Sequence, residues 1–99
     1  FAENDAMALG ALRAIEEEGL EDEVIVMAVD GQREALERIK AGEYDATAIN
    51  NPNLLASTAV QFALRYLGGE TDLPKQYRTP PAVITIDNVD EFYDPNSVF

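Results

Sequence analysis

The sequence predicts an α/β fold, a parallel sheet with flanking helices, and two patterns carry that expectation. Short apolar, β-branched runs alternate with longer segments whose apolar residues recur at helical spacing. The connections between them are short, and alternation of this kind makes the helices crossovers between parallel strands. With 99 residues the chain forms one domain at most, and 46% hydrophobic content is ordinary for a globular protein.

Taken in order, Phe1-Ala2-Glu3 reads as the end of a strand, and Asn4-Asp5 offers an N-cap to a helix over 6–18. Met7, Ala8, Ala11, Leu12 and Ile15 share one face of that helix, and Gly19 stands where a left-handed C-cap belongs. Val24 to Val29 is continuously apolar, the pattern of a strand covered on both faces. Gly31 opens a second helix, with Ala35, Leu36 and Ile39 inward and Gly42 at its end, and 46–49 is a third strand. Asn51-Pro52 fits an N-cap followed by proline at N1. The helix after it reaches about Leu67 with Leu55, Ala59, Phe62, Ala63 and Tyr66 on one apolar face. A breaker-rich loop spans 70–81, a strand 82–86, and a polar tail with a few aromatics 87–99.

The charge balance excludes several classes. Nineteen acids against seven bases give −12, a surface that repels phosphate backbones and anionic lipid. Cysteine and histidine are both absent, which removes disulfides, thiolate metal sites and the usual parts of Ser-His or Cys-His catalysis. No catalytic residue, metal ligand or cofactor is therefore expected. A glycosidase pairing of Glu3 with Asp30 is a chance pairing among abundant acids, and the acids at 87–94 lack the spacing of a calcium loop. Val24 to Val29 is too short to span a bilayer.

One constellation remains. Asn4, Asp30 and Asn50 each stand just past the end of an expected parallel strand, the edge where open α/β sheets bind ligands. An ionised Asp accepts at about four lone-pair sites, and an Asn amide both donates and accepts, which suits a neutral polyhydroxylated ligand. The same residue types at such turns also serve as helix N-caps, and the residues alone leave both roles open.

The stretch from Asn4 to Ala14 resembles the signature helix of ribose-type, type I periplasmic binding proteins and of lac-repressor-type effector domains. Val29-Asp30-Gly31 follows at the family's distance, then Ile39 to Thr47, Asn50-Asn51-Pro52 and Thr85 to Val89, in the family's order. The resemblance implies a two-lobed sugar-binding fold of which this chain is the C-terminal segment. Residues 1–50 would belong to the C-terminal lobe, 51–81 would be a crossover helix and loop packing on the N-terminal lobe, and 82–99 a returning strand and tail. It assigns sugar hydroxyls to Asn4 and Asp30, more loosely to Asn50, and the hinge crossings to Asn50, Asn51, Pro81 and Ala82.

The implied function is capture of a pentose, hexose or polyol for an ABC transporter permease outside the cytoplasm. A chemoreceptor is a further implied partner, nucleic acid is not, and a signal peptide would lie upstream. An effector domain of a lac-repressor-type regulator, or a sensor or autoinducer receptor of the same fold, is the alternative. By itself the segment is expected to cover the apolar helix in one of two ways, by self-association, which is favoured, or by folding the helix back onto its own sheet.

Overall fold

A computed structural model describes all of residues 1–99. The chain divides into two compact units, one formed by Phe1–Asn50 with Ala82–Phe99, the other by Asn51–Pro81.

The first unit holds three helices on a three-stranded sheet. Helix α1 spans Asp5–Glu18, with Asn4 as its N-cap and Gly19 in the left-handed conformation behind it. At φ 68 that position favours glycine, and the Gly19 and Leu20 amides close the helix on the Glu16 and Ile15 carbonyls. Strand β1 is Met27–Asp30, helix α2 Arg33–Lys40 and strand β2 Ala46–Ile49. After the second unit the chain returns as strand β3, Val83–Ile84, and a short helix that we number α4, Val89–Phe92. Strands β1 and β2 are parallel and β3 runs antiparallel beside β2, so the sheet is mixed rather than wholly parallel. The Ile49 amide donates to the Ala82 carbonyl at 2.9 Å. The chain thus re-enters at the end of β2 from which it left, and can only run back along it.

Register divides the sheet into two faces. Ala28, Thr47 and Ile84 form one row, all buried, and join Ala8, Leu12, Ala35, Leu36, Ile39, Tyr44 and Val89 in the core. Burial of each large aliphatic in that set stabilises the fold by about 1.5–3 kcal/mol. On the opposite face lie Met27, Ala48 and Val83, and Met27 and Val83 are 46% and 61% exposed. The continuous apolar run therefore does not mark a strand that this chain covers on both faces.

Several boundaries differ from the sequence expectation for identifiable reasons. Pairing of β1 begins at Met27 because the Val26 amide is taken by the Asp45 carboxylate at 2.7 Å. The expected strand at 1–3 reduces to one bond, Ala2 N–H to the Met27 carbonyl. Strand β3 stops after two residues because Asn88 takes the next backbone groups, accepting from the Thr85 amide and donating to the Val83 carbonyl. The tail is structured: Val89 is buried, Phe92 and Tyr93 pack on the core, and Lys40 meets Asp90 at 2.5 Å. In α1 the inward stripe is Asp5, Ala8 and Leu12, whereas Met7 and Ala11 face outward.

The second unit is helix α3, Pro52–Leu67, and the loop to Pro81. Asn51 caps the helix by accepting from the Leu54 amide at 2.9 Å, with Pro52 at its first position. Phe62 meets Tyr77 at 5.5 Å in a tilted pair, and Arg65 is paired with Glu70. No side chain of α3 is buried.

Candidate ligand-binding site

The parallel pairing of β1 with β2 sets Asp30 opposite Ile49, so Asp30 and Asn50 emerge side by side at the carboxyl ends of the two strands. The Asn50 amide N–H donates to the Asp30 carbonyl at 2.9 Å, and Asn50 Nδ2 lies 3.4 Å from Asp30 Oδ1. The second contact is long, which leaves both side chains most of their hydrogen-bonding capacity. Asp30 is half-buried and Asn50 exposed.

The capping role is distributed unevenly among the three residues. Asn4 does cap, its Oδ1 accepting from the Met7 amide at 2.8 Å, which leaves its NH2 group as donor. Asp30 does not: Gln32 is the residue before α2, and it makes no side-chain cap bond. Asn50 does not either, because its neighbour Asn51 caps α3. The structure brings Asp30 and Asn50 together. It shows no direct bond from Asn4 to either.

Asp30 has a φ of 134, a region that L-residues rarely enter, and Gly31 follows at φ 78. A backbone outlier of this kind costs of order 1–3 kcal/mol and persists only where its surroundings fix it. Those surroundings centre on Asp5, which sequence reasoning assigned only to a cap. Its carboxylate is fully buried. Oδ2 accepts from the Gly31 and Gln32 amides, both at 2.8 Å. Oδ1 accepts from the Tyr44 hydroxyl at 2.8 Å and the Thr47 hydroxyl at 2.7 Å. Burial raises the Tyr44 pKa, and the bond to Asp5 raises it further, so the phenol is held as a donor. One signal was available in the sequence: Asp5, Ala8 and Leu12 share helical spacing, and a carboxylate on an inward stripe requires buried donors.

A concavity of about 400 Å³ opens at the start of the strands, away from these residues, and is lined by Leu12, Val24, Arg38 and Asp45 among others. Its guanidinium is already engaged by Glu16 at 2.8 Å and Glu43 at 2.5 Å, as a partly exposed ion-pair cluster.

Asp30 and Asn50 thus stand at adjoining strand ends, the edge at which open α/β folds bind ligands. The chain belongs to the periplasmic binding protein domain family, whose family model matches residues 1–71. It is 39% identical over 70 residues to the ribose import binding protein RbsB of Haemophilus influenzae, covering 71% of this chain and 23% of that protein. It is 35% identical over 89 residues to the xylitol-binding protein of Mycolicibacterium smegmatis, covering 90% of this chain and 25% of that protein. Among solved structures, an ABC transporter periplasmic solute-binding protein from Actinobacillus succinogenes with bound D-allose superposes with a TM-score of 0.84 at 30% identity. That match covers 90% of this chain and 31% of the other. The chain thus spans about a quarter of the length of the curated relatives it matches.

Proposed function

We propose that this chain is the C-terminal part of an extracytoplasmic solute-binding protein that captures a neutral sugar or polyol for an ABC transporter, without making or breaking a bond in it. The observation that carries the reading is the adjacency of Asp30 and Asn50 at the strand ends, with an Asp30 carboxylate that caps no helix. Asp30 accepts from two neighbouring ligand hydroxyls, Asn50 donates and accepts beside it, and Asn4 offers the NH2 group left free by its cap. Relatives named for ribose, xylitol and D-allose support a small polyhydroxylated ligand. Extracytoplasmic work accords with those names, and no helix here is long and apolar enough to cross a membrane.

The two chain crossings, Asn50-Asn51 and Pro81-Ala82, coincide with the limits of the second unit, and we assign them as the hinge. Calorimetric titration of the full-length protein with D-ribose, xylitol and D-allose tests the reading, with an amino acid and inorganic phosphate as counter-probes. Saturable binding of a sugar or polyol that is recovered unchanged is the expected result. Preference for the amino acid or phosphate, or a chemically altered sugar, overturns it.

A further inference from the structure

We propose that Asp5 is a positioning residue for ligand recognition, holding the turn after β1 so that the Asp30 carboxylate is presented beside Asn50. The inference rests on the assignment of Asp30 to the ligand site.

Four donors converge on the two oxygens of this one buried carboxylate, and they come from three places in the chain. Thr47 lies in the middle of β2 and Tyr44 just before it, so Oδ1 is anchored to the rigid centre of the sheet. The Gly31 and Gln32 amides belong to the turn, so Oδ2 pins the two residues that directly follow Asp30. An ionised carboxylate has about four acceptor sites, and here each has a donor. Such charge-assisted bonds are roughly twice as strong as neutral ones, and the two to Oδ1 are buried.

The backbone of Asp30 is paired to β2 through its carbonyl, but its side chain lacks comparable support. Its side chain meets only the Asn50 amide, at 3.4 Å, yet its backbone sits at a φ of 134. A residue in that conformation relaxes to ordinary extended backbone when the next peptide is free to turn. The fixed Gly31 and Gln32 amides prevent that. Relaxation would swing the carboxylate away from Asn50 and from a ligand that bridges the two.

The prediction separates positioning from general stability. In the full-length protein, Asp5→Asn keeps the size of the side chain but replaces one acceptor oxygen with a donor. It is expected to weaken binding of D-ribose, xylitol or D-allose about tenfold, within the range of coupling between contacting residues. Tyr44→Phe removes one of the four bonds and is expected to act in the same direction with a smaller effect; it carries the test if Asp5→Asn does not fold. The three-bond coupling between the Asp30 amide and α protons, which reports φ, should shift in both variants, a change that lost stability alone would not produce.

Combining Asp5→Asn with Asp30→Ala should weaken binding no further than Asp30→Ala alone. Folded variants with wild-type affinity and an unchanged Asp30 coupling would overturn the inference, as would losses that multiply in the double variant. If Asp30→Ala alone binds normally, the site assignment falls and this inference with it. If Asp30→Ala loses binding while Asp5→Asn and Tyr44→Phe keep it, only the positioning role falls.

Discussion

Asn50 is bound to Asp30 twice, by its backbone amide at 2.9 Å and by its side-chain amide at 3.4 Å. The short bond continues the strand pairing one residue beyond β2 and fixes where the two side chains emerge. The long one is weak, so a ligand hydroxyl can replace it at little cost.

The first prediction concerns the separate roles of the three polar residues. In the full-length protein, Asp30→Ala should weaken sugar binding by about 2–4 kcal/mol, because desolvated hydroxyls lose a charged acceptor. Asn50→Ala should cost less, since neutral hydrogen bonds are lost. Asn4→Ala should show a mixed effect, a modest loss of affinity together with about 1 kcal/mol of stability from the missing cap. Titration calorimetry beside denaturant unfolding resolves the two; an Asp30→Ala protein that is folded and binds normally would return this residue to a purely structural role.

The second prediction uses backbone strain. Glycine tolerates the φ of 134 found at Asp30, so Asp30→Gly removes the conformational penalty and the carboxylate together. Stability should rise by about 1 kcal/mol, relief of strain being partly offset by the greater freedom of an unfolded glycine. Sugar binding should fall as far as in Asp30→Ala. Urea unfolding of the two variants is the comparison, and an Asp30→Gly protein less stable than Asp30→Ala would contradict it.

Helix α2, strand β2 and helix α3 were legible in the sequence because each is bounded by local chemistry, and their apolar residues follow a single period. Asn51-Pro52 and Gly42 mark such bounds without any knowledge of neighbours. The parts that were not legible depend on contacts distant in sequence. Asp45 takes the Val26 amide from 19 residues away and so shortens β1, and Asn88 cuts β3 short. Antiparallel return at Ala82 depends on the end of β2 at which the chain re-enters. The candidate site was half legible: Asp30 and Asn50 follow from strand ends, whereas Asp5 was hidden behind the capping role of its neighbour Asn4.

The third prediction concerns alkaline pH. Burial first, and then the Asp5 carboxylate, raise the Tyr44 pKa above its ordinary value. A group raised on folding contributes fully below its unfolded pKa, about 10 for tyrosine, and loses that contribution as pH rises through the higher folded value. Stability should therefore decline from about pH 10 upward. In Tyr44→Phe the neutral phenol is gone, so that variant should begin less stable at neutral pH and lose less over the same interval. Chemical denaturation at a series of pH values between 8 and 12 checks the slope, and equal slopes would mean that Tyr44 is not the linked group.

The last prediction separates the two units by their packing. Ile39 is fully buried, and Ile39→Ala should destabilise the first unit by about 2–5 kcal/mol through lost burial and a residual cavity. Leu64 in α3 is 64% exposed, so within this chain Leu64→Glu removes little packing. Its effect on unfolding should stay within about 0.5 kcal/mol, the range of ordinary surface substitutions. The same substitution should change how the 99-residue chain behaves in concentrated solution, because Leu55, Val60, Leu64, Tyr66 and Leu67 are together exposed on one helix. Apolar surface of that extent favours association with a second copy, and a charge placed within it opposes it. Light scattering over a concentration series should show mass growth for the unmodified chain and a suppressed response for Leu64→Glu. A monomer at every concentration in both would exclude self-association through α3, and a large loss of stability in Leu64→Glu would mean that the helix is packed inside the isolated chain.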